Sequence, residues 1–185
     1  PAMKNAIPVT YGGYDGENIP DYAETYLIYQ EGIYVGYKYY ETRYEDYVMG
    51  TEKTGAYTYG DDVAFPFGYG LSYTTFDYEF KGVENHEDGM IFGFKVTNTG
   101  KTAGKAVCQV YLKKPVGKLG NPEKVLVGFV KTDVINPGES VCFSADVLDR
   151  QLVSYDESGK TGFESAYVLE EGNYEFFVGA NVRDC

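Results

Sequence analysis

The 185 residues are 43% hydrophobic, enough to bury a core, and they fit one large domain or one domain with an appendage. A net charge of -12 excludes non-specific binding to nucleic acid or to an acidic membrane surface. The apolar runs are short, Val125 to Val127 being typical, so the sequence predicts no bilayer span. Twenty tyrosines, 23 glycines and no tryptophan favour strands and turns over a helical bundle. The chain opens at Pro1 with neither an initiator Met nor a signal peptide, as an excised fragment would.

Two halves differ in chemistry. Residues 1–80 hold 13 acidic and 4 basic side chains, a net of -9, with 16 of the 20 tyrosines. Residues 81–185 hold 15 and 12, a net of -3. The step places a boundary between two units near Phe80. Residues 1–30 are rich in Tyr, Gly, Pro and acids, with little periodicity, and read as irregular. Glu31 to Tyr40 has strand-like composition, and Thr51 to Asp62 reads as a polar loop. Phe65–Pro66–Phe67–Gly68–Tyr69–Gly70 cannot be a central strand, because Pro66 lacks a donor and the glycines loosen the backbone. Residues 1–70 are expected to be held loosely, and the aromatics of this half to need a partner surface.

The second half reads as strands. Met90 to Asn98 alternates, with Phe92, Phe94 and Val96 on one side and Ile91, Gly93, Lys95 and Thr97 on the other. Asn98–Thr99–Gly100–Lys101 is a turn signal. Val107 to Leu112 puts Cys108, Val110 and Leu112 on one face and Val107, Gln109 and Tyr111 on the opposite one. Val125 to Val134 ends at the turn residues Asn136–Pro137–Gly138–Glu139. Ser140 to Val147 alternates through Val141, Phe143, Ala145 and Val147. A short turn is expected around Asp149 to Leu152, a hairpin tip at Asp156–Glu157–Ser158–Gly159, and a last strand from Tyr174 to Val178. About seven short strands with regular turns specify a mostly β chain, an antiparallel sandwich of immunoglobulin-like type behind an irregular Tyr-rich arm.

Chemistry-bearing residues are sparse. Cys108, Cys142 and Cys185 form an odd set with no close pair; Cys108 and Cys142 read as buried free thiols, with a bridge between them open if the protein is secreted. Unpaired thiols favour a cytoplasmic protein. The acidic runs Glu45–Asp46, Asp61–Asp62 and Glu170–Glu171 read as solvated surface. The single histidine, His86, lies in the polar turn from Glu84 to Gly89 and reads as a loop residue. No spacing of His, Cys or acids suits zinc or calcium, and no phosphate-binding loop precedes a helix, so no metal and no cofactor are expected. The Tyr-rich segment from Tyr34 to Tyr47 reads as packing, with Tyr37 and Tyr40 the candidates for a sugar-facing role.

The segments just described carry a resemblance. Glu31–Gly32–Ile33–Tyr34–Val35–Gly36–Tyr37–Lys38–Tyr39–Tyr40 resembles a segment of bacterial glycoside hydrolase family 3 β-glucosidases, with Lys38 where Arg is usual. Phe65 to Thr74 resembles the family's P-F-G-Y-G-L-S-Y-T signature. Val96–Thr97–Asn98–Thr99–Gly100, Ala103 to Val107 with Gln109–Val110–Tyr111, Val127–Gly128–Phe129 and Val178–Gly179–Ala180 follow in the family's order. The resemblance implies residues 1–70 as a remnant of an α/β sandwich domain with a linker, and 71–185 as a fibronectin type III-like domain. It implies that nucleophile and acid/base lie on other domains, because no S-D-W motif occurs here. The chain then has no catalytic residue of its own and acts as a buttress. Its partners are the catalytic domains, met through Phe65, Phe67 and Tyr69, and a β-glucoside is met only through the parent enzyme. The alternative left open is a free-standing carbohydrate-binding or adhesion module.

Overall fold

The computed structural model describes residues 8–10, 25–27, 32–50 and 57–185. The expected irregularity of residues 1–30 falls mostly outside this range; within it, β1 (Pro8–Thr10) and β2 (Thr25–Leu27) pair antiparallel.

The expected strand at Glu31 to Tyr40 is a helical segment instead. A 3-10 turn at Gly32–Tyr34 leads into helix α1 (Tyr37–Met49). Gly36, at φ 64, and Gly50, left-handed at φ 69, delimit it; the Gly50 N–H caps the last turn on the carbonyls of Asp46 and Tyr47. Tyr and Val are good strand formers, but the helix places Tyr37, Glu41 and Tyr44 on one side, which a strand would split between two faces. A single helical turn, α2 (Tyr59–Asp62), sits inside the expected polar loop.

Eight strands follow. β3 (Phe76–His86), β4 (Gly89–Asn98) and β7 (Ser140–Leu148) form one antiparallel sheet in the order β3-β4-β7. β5 (Val107–Lys113), β6 (Val125–Lys131) and β10 (Glu175–Gly179) form the other, in the order β10-β5-β6. β8 (Ser154–Asp156) and β9 (Ala166–Val168) make a two-stranded ribbon around the expected hairpin tip. A 3-10 turn at Asp149–Gln151 matches the expected turn. The register of β3 against β4 shifts between Phe80 and Gly82, and His86 ends this strand rather than lying in the turn.

Between the sheets lies the core. Phe92, Phe94 and Val96 of β4 meet Cys108, Val110 and Leu112 of β5, with Val127, Ala145 and Val147 completing the layer. These are the inward faces that alternation predicts. Asn98, fully buried, secures the turn after β4: its Nδ2 donates to the carbonyls of Thr102 and Ile135, both at 2.8 Å, and its Oδ1 accepts from the Thr74 hydroxyl and the Gly100 N–H. Every polar atom of this buried amide is therefore paired.

The three thiols are free. Cys108 is buried as expected, and desolvation pushes its pKa up to about 12. Cys142 is not: it is exposed, on the outward parity of β7.

Candidate interface between the helical arm and the sandwich

On β5 the face opposite the core is covered as well: Gln109 and Tyr111 are buried there. Helix α1 and the Phe65–Gly70 segment cover this side, so these two segments of the first half are seated on the sandwich rather than held loosely. Tyr37 stacks on Phe67 with ring centroids 3.9 Å apart and planes 10° from parallel. The Tyr37 hydroxyl accepts the Leu126 N–H at 2.8 Å, and the Thr42 hydroxyl accepts the Glu123 N–H at 2.9 Å. Both N–H groups belong to the start of β6 or the loop before it, so the helix supplies hydrogen bonds that a neighbouring strand would otherwise supply.

Gln109 organises the underside of this contact. Its Nε2 donates to the carbonyls of Gly68 at 3.1 Å and Ala180 at 2.5 Å, while its Oε1 accepts from the Tyr111 hydroxyl at 2.6 Å. Gly68 is needed for this approach. Its φ is +82, and a Cβ there would lie 2.1 Å from Gln109 Oε1. Burial raises the pKa of Tyr111 further above its ordinary value. At the helix, burial and the hydrogen bond to Glu41 raise Tyr59. Burial, with the Asp62 charge adding to it, pushes Tyr57 up to about 12. These hydroxyls are packing groups with fixed partners, not poised acids.

The sugar-facing candidates are placed as follows. Tyr37 is half-buried and committed to Phe67 and Leu126. Tyr40 is half-buried, lies edge-on to Tyr39 at 5.3 Å, and its carbonyl accepts from Tyr57 at 3.4 Å. Of the docking candidates, Phe67 is partly used within the chain, whereas Phe65 is 68% exposed and stacks on Tyr69 at 5.2 Å. Leu71, Tyr73 and Phe129 are exposed as well, Tyr73 almost completely. Phe67 and Phe129 border one shallow cleft with Val107, Gln109 and Leu126. The acidic groups named here have structural partners. Glu79 pairs with Lys81 at 2.7 Å, Glu123 with Lys113, and Glu41 with Arg183 at 3.2 Å. Asp156 accepts from the N–H groups of Ser158, Lys160 and Thr161 and from the Thr161 hydroxyl. Among the described residues no group of three or more His, Cys, Asp or Glu could hold a metal ion. No helix among them is long and apolar enough to cross a membrane.

Two packed three-stranded antiparallel sheets define a β-sandwich module, and the family model of the fibronectin type III-like domain matches residues 106–182 of it. Beyond that domain, the chain is 44% identical over 156 residues to a β-glucosidase of Ruminococcus albus, covering 84% of this chain and 15% of that protein. It is 40% identical over 176 residues to β-glucosidase A of Butyrivibrio fibrisolvens, covering 87% and 20%. The crystal structure of a β-glucosidase from Paenibacillus barengoltzii superposes with a TM-score of 0.73 at 42% identity, over 85% of this chain and 16% of that one. A family 3 β-glucosidase of Bifidobacterium adolescentis superposes with a TM-score of 0.67 at 28% identity, covering all of this chain and 22% of that one. The chain belongs with the family 3 β-glucosidases and corresponds to the portion that includes their fibronectin type III-like domain. It spans 15–20% of the length of these two curated relatives.

Proposed function

We propose that this chain is the non-catalytic C-terminal part of a β-glucosidase that hydrolyses terminal β-D-glucosyl residues, and that it buttresses the domains bearing the catalytic groups. The observation that carries this reading is the coverage: nearly all of the chain matches its relatives, while most of each relative lies outside the match. A retaining glycosidase needs two carboxylates about 5–5.5 Å apart across a sugar site. Glu41 and Asp156, the buried carboxylates, serve structure instead, the first paired with Arg183 and the second bonded within its turn. Residues 1–70 belong, on this reading, to the end of the preceding domain and its linker, and 71–185 to the buttress.

The exposed apolar groups available for docking are the stacked pair Phe65 and Tyr69, their sequence neighbours Leu71 and Tyr73, and Phe129, which shares a shallow cleft with Phe67. Exposed apolar surface of this kind marks a contact. Fully burying a large apolar side chain supplies about 1.5–3 kcal/mol, so two rings supply about 3–6 kcal/mol.

The test is the pair Phe65→Ser and Tyr69→Ser in the full-length parent, read by melting temperature and by KM for an aryl β-glucoside. A lowered melting temperature with nearly unchanged KM is expected. Wild-type stability with a sharply raised KM would make this segment a wall of the sugar site. Turnover by the 185-residue chain alone, abolished by changing one of its own carboxylates, would overturn the non-catalytic reading.

A further inference from the structure

The turn that follows β10 is small, yet it contacts the arm, the linker and the sheet together. Residues 180–184 close on themselves: the Ala180 N–H donates to the Asp184 carbonyl at 2.9 Å, and Asn181 Oδ1 accepts from the N–H groups of Arg183 and Asp184. Val182 is fully buried. Its N–H donates to the Phe67 carbonyl at 3.0 Å, and its carbonyl accepts from Lys124 at 3.2 Å. The Ala180 carbonyl accepts from Gln109. The turn is thus hydrogen-bonded to the docking linker, to β5 and to the residue before β6.

From this base Arg183 reaches helix α1. Its Nη1 lies 3.2 Å from Glu41 Oε2, and its guanidinium carbon lies 3.9 Å from the Tyr44 ring centroid and 4.9 Å from that of Tyr59. Glu41 is 1% exposed, and its second oxygen accepts from the Tyr59 hydroxyl at 2.5 Å. A carboxylate at that depth is tolerable only while its cation is present, since removing one partner leaves an uncompensated buried charge. The guanidinium also fits as a plane against aromatic faces, which an ammonium does not. The helix therefore rests on this side of the sheet under a condition that Arg183 fulfils. The core between the sheets is built from other residues, Phe92, Val96, Val110 and Val147 among them, and includes none from the helix.

We propose that residues 180–184 are a clasp: Arg183 holds helix α1 closed over the outer face of the β10-β5-β6 sheet, and opening it frees the helix while the sandwich persists. The proposal does not depend on the buttress reading, because it concerns contacts within this chain alone. Hydrogen exchange on the 185-residue chain tests it. Arg183→Leu raises exchange across residues 37–49 about tenfold or more, while 92–97 and 108–112 stay protected. Arg183→Lys keeps the charge and loses the planar stacking, and gives a smaller rise. Replacing both partners, Glu41→Leu with Arg183→Leu, removes the orphaned charge and restores protection of the helix to within about threefold of the parent chain. Unchanged exchange of the helix in Arg183→Leu overturns the proposal. So does loss of protection in both sheets, which would make the turn part of the core, and so does a double variant no better than Arg183→Leu.

Discussion

Replacing Gln109 by Leu keeps most of the side-chain volume and removes all three of its hydrogen bonds. The Gly68 and Ala180 carbonyls and the Tyr111 hydroxyl then lose a partner at a site where Gln109 is 5% exposed. A buried polar group left unsatisfied costs about 1–3 kcal/mol. Three such groups set an upper range of about 3–9 kcal/mol, and the lower end applies, because Tyr111 retains a long contact at 3.4 Å to the Phe67 carbonyl. The expected loss is therefore about 3 kcal/mol. For a chain of this size that is a fall in melting temperature of about 6–12 °C. Urea denaturation followed by tyrosine fluorescence measures the first quantity and circular dichroism the second. Gln109→Glu should be worse, since a carboxylate would face two carbonyl oxygens. A Leu variant within about 0.5 kcal/mol of the parent would refute the view that this amide ties the linker to the sheet.

Acid titration should show the ribbon turn. Burial raises the Asp156 carboxyl, but the hydrogen bonds from Thr161, Lys160 and Gly159 outweigh it and bring it down to about 2. The unfolded state then binds the extra proton between pH ~4 and ~2, so this stabilisation is present above pH ~4 and is lost as pH falls towards ~2. Asp156→Asn should flatten that acid limb, and an unchanged limb would dissociate Asp156 from it. A thiol reagent should label exposed Cys142 rapidly in the native chain and reach buried Cys108 only on unfolding; rapid native labelling of both, resolved by peptide mapping, contradicts the packing. Asn98→Leu orphans four hydrogen-bonding groups and should cost more than about 3 kcal/mol by denaturant titration, whereas a loss below about 1 kcal/mol would mean that water replaces the amide.

The sandwich was legible because alternation has one meaning in a strand with one dry face. Phe92, Phe94 and Val96, and Cys108, Val110 and Leu112, are inward in both sequence and structure. The same alternation, carried through β7, puts Cys142 on the outward parity between Val141 and Phe143; its apolar character hid that. The arm was less legible. The positions that seat helix α1 are Tyr37, Glu41 and Tyr44, and the middle one is a charge, so no apolar stripe announces the helix. Its stabilising partner, Arg183, is 142 residues away in sequence. Likewise the burial of Gln109 follows from glycine at position 68, a contact that composition does not reveal.

The two outer faces of the sandwich differ in the contacts they suit, which tests the proposed docking side. The outer side of β3-β4-β7 carries Glu79 with Lys81 and Lys95, and Thr97 bonded to Ser140 at 2.8 Å. Such exposed ion pairs contribute little to stability and suit water. The opposite side carries the seated helix, whose residues Tyr39, Tyr47, Val48 and Met49 are exposed, and Phe129, 68% exposed, at the cleft it shares with Phe67. Covering that apolar side removes it from water; covering the charged side would cost desolvation of its ions. Lys95→Glu in the parent enzyme should therefore leave the melting temperature within the range of ordinary surface changes, about 0.5 kcal/mol either way. Phe129→Asp should lower it clearly, while leaving the isolated chain nearly as stable as before, because the ring is already in water there. Differential scanning calorimetry of both variants, in parent and isolated chain, separates the effects. Equal losses from the two substitutions in the parent would place the grip elsewhere, and a loss from Phe129→Asp of the same size in the isolated chain would make the ring part of this chain's own fold rather than its contact.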